Sequence, residues 1–221
     1  MDLQVDIVSD VICPWCYIGK RRFERALETI GSRHRVDVTW RPFQLNPDMP
    51  VDGMERAAYL EAKFGGRERS REIYARIEAA GAGEGIAFAF DRIARTPNTV
   101  QAHRLIRLGQ RLDRQDEVVD ALFRGYFTEG ANIGDIETLV GLAERAGVAP
   151  DAAERYLVGD EDREQVLGED DAARRMGIHG VPCFILEQQH ALSGAQEPAV
   201  LAEALDRVAE LANQEPAART A

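Results

Sequence analysis

Apolar and polar positions alternate along Leu3-Gln4-Val5-Asp6-Ile7-Val8, a period of two that predicts a strand. Beyond it, Phe23, Ala26, Leu27 and Ile30 recur at helical spacing. From Arg35 to Phe43 the alternation returns, with Val36, Val38 and Trp40 against Asp37, Thr39 and Arg41, as in a half-buried strand; Asn46-Pro47-Asp48-Met49-Pro50 stops it. From about Met54 to Met176 the period is mostly helical, in segments near 54–64, 67–80, 98–112, 115–127, 135–147, 150–158 and 162–177. Breakers separate several of them: Gly65-Gly66, the run Gly81 to Gly85, Pro97-Asn98, Gly134-Asp135 and Pro150-Asp151. Within this block Gly85 to Phe90 reads as a short extended interruption. Strand signals come back at Val181–Leu186 and Gln189–Leu192, ending at Ser193-Gly194-Ala195. A closing helix after Pro198 carries Val200, Leu201, Ala204, Leu205, Val208 and Leu211 on one face.

The order is strand, helix, strand, long helical block, strand, strand, helix. It implies an α/β sheet domain formed by residues 1–50 with 178–212, interrupted by an all-helical insertion at 51–177, and a frayed tail at 213–221. No internal repeat or long low-complexity segment breaks this pattern.

Composition narrows the partners more than the fold. A chain of 221 residues with a formal charge of −11 lacks the clustered cations that a phosphate backbone requires, which argues against nucleic acid. Its cations are almost all arginine; Lys20 and Lys63 are the only lysines. The chain opens directly on a strand and holds no apolar stretch of membrane-spanning length, so a soluble, cytoplasmic protein with no membrane partner is expected. Three cysteines are too few for a disulfide scaffold, and in a reducing compartment a C-x-x-C reads as catalytic or sensing.

That motif is Ser9-Asp10-Val11-Ile12-Cys13-Pro14-Trp15-Cys16-Tyr17-Ile18-Gly19-Lys20, at the strand-to-helix turn. Pro14 suits the first helical position because it lacks the N–H left unpaired there; Cys13 is then the N-cap and Cys16 lies one turn in. The free N–H groups and the positive end of the helix dipole favour a thiolate on Cys13. Cys13 is thus expected to be the exposed nucleophile, with Cys16 resolving the mixed disulfide. Chance spacing or half of a metal site are the competing readings, against which the flanking strand, proline and helix argue.

The chain resembles the thioredoxin-fold superfamily, and more narrowly the DsbA-like group with a helical insertion; within that group it is similar to the cytoplasmic FrnE-type oxidoreductases. The resemblance rests on Cys13 to Gly19, Arg41-Pro42-Phe43-Gln44-Leu45-Asn46-Pro47, Pro97-Asn98-Thr99 with Ala102 to Leu105, Gly180-Val181-Pro182 and Ser193-Gly194-Ala195-Gln196. It implies a cis-proline at Pro182 facing the dithiol, with Val181 offering backbone groups to substrate beside Pro14 and Trp15. It implies a thiol–disulfide oxidoreductase that reduces, forms or isomerises disulfides in a protein or small molecule. No cofactor beyond the redox-active disulfide and no metal are expected, with glutathione a candidate reductant; the sequence leaves oligomeric state open. The alternatives are a glutathione-dependent isomerase or transferase, as in hydroxychromene-carboxylate isomerases and kappa-class transferases, and a metal-binding redox sensor. Those isomerases and transferases typically carry a serine where this chain has Cys13.

Cys183, just after Pro182, departs from the apolar residue many relatives carry. It reads as a small core residue, or else as a third redox or metal-binding thiol. Trp15 either shapes a substrate surface or covers the helix end. Asp10 is expected to be a solvated strand-end residue, although a carboxylate near Cys16 is also suited to accept its proton. Lys20 and Arg21 are expected on the helix surface, and Asn98 as a helix N-cap. His103 and His179 are accessory candidates near the cleft, each with a plain structural reading beside it.

Overall fold

The computed structural model describes residues 2–214. The first strand, β1 (Asp2–Ser9), pairs in parallel with β2 (Arg35–Pro42), and the connection between them is α1 (Pro14–Ile30). On its other side β1 runs antiparallel to β5 (Cys183–Leu186), with Ile7 opposite Phe184 and Val8 opposite Cys183; β6 (His190–Ser193) completes the sheet in the order β2-β1-β5-β6. One face of β1 presents Leu3, Val5 and Ile7 to a core shared with Cys16, Phe23, Ala26 and Ile30 of α1. The closing helix α9 (Pro198–Gln214) packs on α1 and adds Leu201, Leu205 and Val208. Val8, on the opposite face, packs with Phe43, Ala173 and Cys183. Burying each such Leu, Ile, Val or Phe contributes roughly 1.5–3 kcal/mol before chain entropy is counted.

Between β2 and β5 lie α2 (Arg56–Phe64), α3 (Arg67–Gly83), α4 (Val100–Arg111), α5 (Gln115–Arg124), α6 (Ile136–Arg145), α7 (Pro150–Val158) and α8 (Arg163–Arg175). This block is not wholly helical. β3 (Met54–Glu55) and β4 (Arg95–Thr96) form a two-residue antiparallel ladder, and α5 runs on into a π turn at Gly125–Glu129. Gly53 permits that ladder: its φ is +68°, and a Cβ there would stand 2.6 Å from the Thr96 carbonyl oxygen.

Three local expectations change. The glycines at 81 and 83 do not stop α3, because Gly81 faces the Phe88 ring, which occupies the space a side chain would need. The interruption after Gly85 is neither helix nor paired strand and ends in a 3-10 turn at Phe90–Arg92, held by aromatic packing among Phe88, Phe90 and Phe127. The N-cap of α4 is Thr99, and Asn98 instead accepts from Val100 N–H and donates to the Met49 carbonyl, tying two loops together. Of the expected tail, Asn213 and Gln214 are helical, and residues 215–221 lie outside the described residues.

Two polar side chains lock the insertion together and onto the sheet. Gln115 accepts from the N–H of Trp40 and donates to its carbonyl, satisfying backbone groups of the edge strand β2. Arg104, fully buried, donates to the carbonyls of Tyr156 and Leu157, which α7 leaves unpaired at its C-terminal end, and to those of Gly159 and Glu161 in the loop that follows.

Candidate active site

The turn between β1 and α1 sets both sulfurs. Cys13 N–H donates to the Asp10 carbonyl at 3.0 Å, and the Cys13 carbonyl accepts from Cys16 N–H at 3.0 Å. Cys13 has extended φ/ψ as the N-cap, Pro14 is at the first helical position, and all three cysteines are free thiols. The chain at Val181-Pro182, a cis peptide bond, crosses this helix end. It alters one expectation: Cys13 is 4% exposed rather than open to solvent, and its thiol donates to the Val181 carbonyl at 3.5 Å. Pro182 approaches α1 over Gly19, where an added Cβ would stand 2.9 Å from the Pro182 ring. The glycine of the motif is therefore a packing requirement of the proline loop. Trp15, 39% exposed, flanks the site on the outside, and Pro14 is half-buried.

Cys16 is fully buried. Burial pushes its thiol well above the ordinary range; the hydrogen bond and charge of Cys13 push the same way, against smaller opposing effects of the Ser9 hydroxyl and the Asp10 backbone. Cys16 is therefore held as a thiol.

Asp10 corrects another expectation. It is completely buried rather than solvated, because the chain after β2 folds over it. Its Oδ2 accepts from Leu45 N–H at 2.7 Å, its Oδ1 lies 3.5 Å from Ile12 N, and His103 Nε2 stands 3.5 Å from Oδ1 and 3.2 Å from the Phe43 carbonyl oxygen. Since a carbonyl accepts, His103 carries a proton on Nε2. Asp10 and His103 thus meet beneath the dithiol turn and brace it; no hydrogen bond joins either side chain to a sulfur. His179 lies exposed on the loop before the proline and takes no part in the hydrogen bonds or ion pairs of the site.

Lys20, expected on the surface, is 2% exposed because α5 covers that face of α1. Its ammonium meets Glu24, Asp116 at 2.9 Å and Asp120 at 3.9 Å. Arg21 reaches Glu24 and Asp120 and is likewise partly buried. Burial lowers the affinity of Lys20 for its proton, but Asp116 and Glu24 outweigh that and raise its pKa overall.

Cys183 faces away from the dithiol. Its register partner is Val8, and its side chain belongs to the cluster with Phe43 and Ala173 on the other face of the sheet, where burial raises its thiol. Cys183 therefore does not join Cys13 and Cys16 as a metal ligand, and among the described residues no three His, Cys, Asp or Glu side chains group as a metal site. Periodicity gave no warning of the Lys20 cluster or of Arg104, because both sit where a helix face meets a neighbour distant in sequence.

Comparison with known proteins agrees with this geometry. The model of the DSBA-like thioredoxin domain matches residues 4–206. The uncharacterized protein YwbO of Bacillus subtilis is 26% identical over 148 residues, 67% of this chain and 68% of that protein. A probable DsbA oxidoreductase from Streptomyces coelicolor superposes with a TM-score of 0.86 at 33% identity, covering 94% of this chain and 90% of its own. The cytosolic disulfide reductase DsbM of Pseudomonas aeruginosa, solved with glutathione, has a TM-score of 0.67 at 18% identity, covering 94% and 99%. A 2-hydroxychromene-2-carboxylate isomerase has a TM-score of 0.70 at 16% identity, covering 96% and 98%. These last two share the fold.

Proposed function

The chain belongs to the DSBA-like thioredoxin domain family, with a helical insertion in a thioredoxin fold, and we propose that it is a cytoplasmic FrnE-type thiol–disulfide oxidoreductase working through Cys13 and Cys16. The observation that carries this is the pair of free thiols on the first turn of α1, one at the N-cap beside the cis-proline loop and one buried behind it.

The reaction needs no group that the chain lacks. The Cys13 thiolate attacks one sulfur of the substrate disulfide; that bond breaks, the departing thiolate takes a proton from solvent, and a mixed disulfide remains. The charge of Cys13 is then gone, and with it part of what holds the Cys16 proton. Cys16 loses that proton and attacks Cys13, releasing the second thiol and leaving a Cys13–Cys16 disulfide. Glutathione is the proposed reductant that restores the dithiol, and no resident cofactor, metal, nucleic acid or membrane takes part. Pro14, Trp15, Val181 and Pro182 form the substrate-facing surface.

The test is a redox titration in glutathione buffers, with alkylation and mass spectrometry reading each cysteine. A two-electron couple confined to Cys13 and Cys16 is expected. Glutathione held on Cys13 alone would favour the isomerase or transferase reading, which leaves Cys16 without a role.

A further inference from the structure

In the insertion, α2, α3 and the segment from Phe90 to Ala94 border an open cavity of about 510 Å³, a size typical of small-molecule sites. Leu60, Tyr74, Phe90 and Ile93 line it, and Arg56 is set among them. The half-buried guanidinium of Arg56 is held by hydroxyls: Nη1 donates to Thr96 at 3.0 Å and Tyr126 at 3.5 Å, and Nη2 to Tyr74 at 2.5 Å. It also lies 5.5 Å from the centroid of the Tyr59 ring. Among the described residues no carboxylate pairs with it, whereas Arg21, Arg22, Arg107 and Arg111 are each ion-paired. Such a cation is oriented and partly desolvated without being neutralised, and a planar carboxylate is its best complement. Glu55, Glu78, Asp91 and Arg71 line the same cavity and are exposed, so the acids there disfavour a polyanion.

An aromatic run joins this cavity to the dithiol. Tyr17, one turn past Cys13, meets Phe88 edge-on at 6.1 Å; Phe88 stacks on Phe90 at 4.8 Å, and Phe90 packs on Tyr74 at 4.4 Å. Burial raises the Tyr74 phenol, Arg56 opposes this, and Cys13 adds a smaller upward push.

Resting on the reading of Cys13 as nucleophile, we infer that this cavity binds a small disulfide, one half of which carries a carboxylate on an apolar or aromatic body, with the carboxylate on Arg56 and the sulfur toward Cys13. Cys13 attacks the sulfur of the bound half and the ligand's S–S bond breaks. The outer half leaves as a thiolate, protonated by solvent. Cys16 then displaces the bound half, so the two electrons the ligand gains are those the dithiol loses.

The experiment follows the reduced protein reacting with dithiobis(nitrobenzoate), an aromatic disulfide with carboxylates, and with dithiodipyridine, an aromatic disulfide without them. Arg56→Gln should slow the first by about 10- to 100-fold, the worth of one charged hydrogen-bonded contact, and the second by less than about 3-fold. Arg56→Lys should restore part of the loss, and Arg207→Gln, removing an exposed cation on α9 outside the cavity, should change little. Benzoate, which has no sulfur, should slow the first reagent in the unaltered protein and not in Arg56→Gln. Equal losses with both reagents, a loss in Arg207→Gln as large as in Arg56→Gln, or no effect of benzoate on the unaltered protein would each overturn the inference. If neither reagent reacts with Cys13, the oxidoreductase reading fails instead, and benzoate binding followed by NMR, present in the unaltered protein and lost in Arg56→Gln, still decides on the pocket.

Discussion

The two ends of the first three turns of α1 are built on opposite terms. At the start, Cys13 and Cys16 have a backbone carbonyl, a hydroxyl and each other for polar company, and no ion pair reaches either sulfur. From Lys20 onward the helix is pinned by charge: Lys20 and Arg21 to Glu24, Asp116 and Asp120 on α1 and α5, and Arg22 and Arg25 to Glu84 at the end of α3. Asp116 also accepts from the Trp40 indole at 3.1 Å, which ties the cluster to β2. Groups that must change protonation during turnover are kept clear of fixed charges, and groups that never change state hold the helix in place. The same helix therefore separates chemistry from anchorage by one turn.

Substitutions at the two ends should accordingly part company. Cys13→Ser is expected to lower disulfide exchange by at least about 10³-fold, as loss of a nucleophile does, while Cys16→Ser retains attack and accumulates a mixed disulfide visible by mass spectrometry. Because the Cys16 thiol is raised well above its ordinary range, release of that intermediate in the unaltered protein should quicken as pH rises from neutral into the alkaline range. Asp10→Ala removes the acceptor shared by Leu45 and Ile12 and leaves His103 without its carboxylate. A loss of about 2–4 kcal/mol by urea denaturation is expected from the orphaned buried groups, with about a tenfold slower exchange as the turn loosens.

Lys20→Met should cost about 2 kcal/mol, between the values for exposed and buried pairs, and leave the exchange rate within about 2-fold. The folded pKa of Lys20 lies above its unfolded value. Its contribution is therefore complete below the unfolded pKa and is lost as pH climbs through the folded one, so the melting temperatures of the two proteins should converge at strongly alkaline pH. The smallest effect belongs to Cys183→Ser: roughly 1 kcal/mol from an unpartnered buried hydroxyl, with exchange unaltered. A Cys183 substitution that changed the exchange rate would break the separation between the dithiol and the rest of the core.

What the sequence made legible follows the range of the forces involved. The N-cap at Cys13, Pro14 at the first helical position and the alternation of β1 and β2 are decided by neighbours within a turn or a pleat, and each reads directly. Asp10 and Lys20 misled because their burial is decided by chain 35 and 96 residues away, where Leu45 and Asp116 arrive. Gly81 looked like a breaker for the same reason: it is small to admit a distant partner, the Phe88 ring. Arg56 carries no local signature, and its isolation from carboxylates exists only once α2, α3 and β4 are assembled.

The pairing of Val8 with Cys183 has a wider consequence. Side chains on a strand alternate between faces, so a shift of one residue would turn the third thiol toward the other two. Three thiols in mutual reach admit three alternative disulfides, and a single two-electron couple would become a mixture. Sheet parity therefore acts as chemical insulation, fixing the stoichiometry of the redox element by geometry alone.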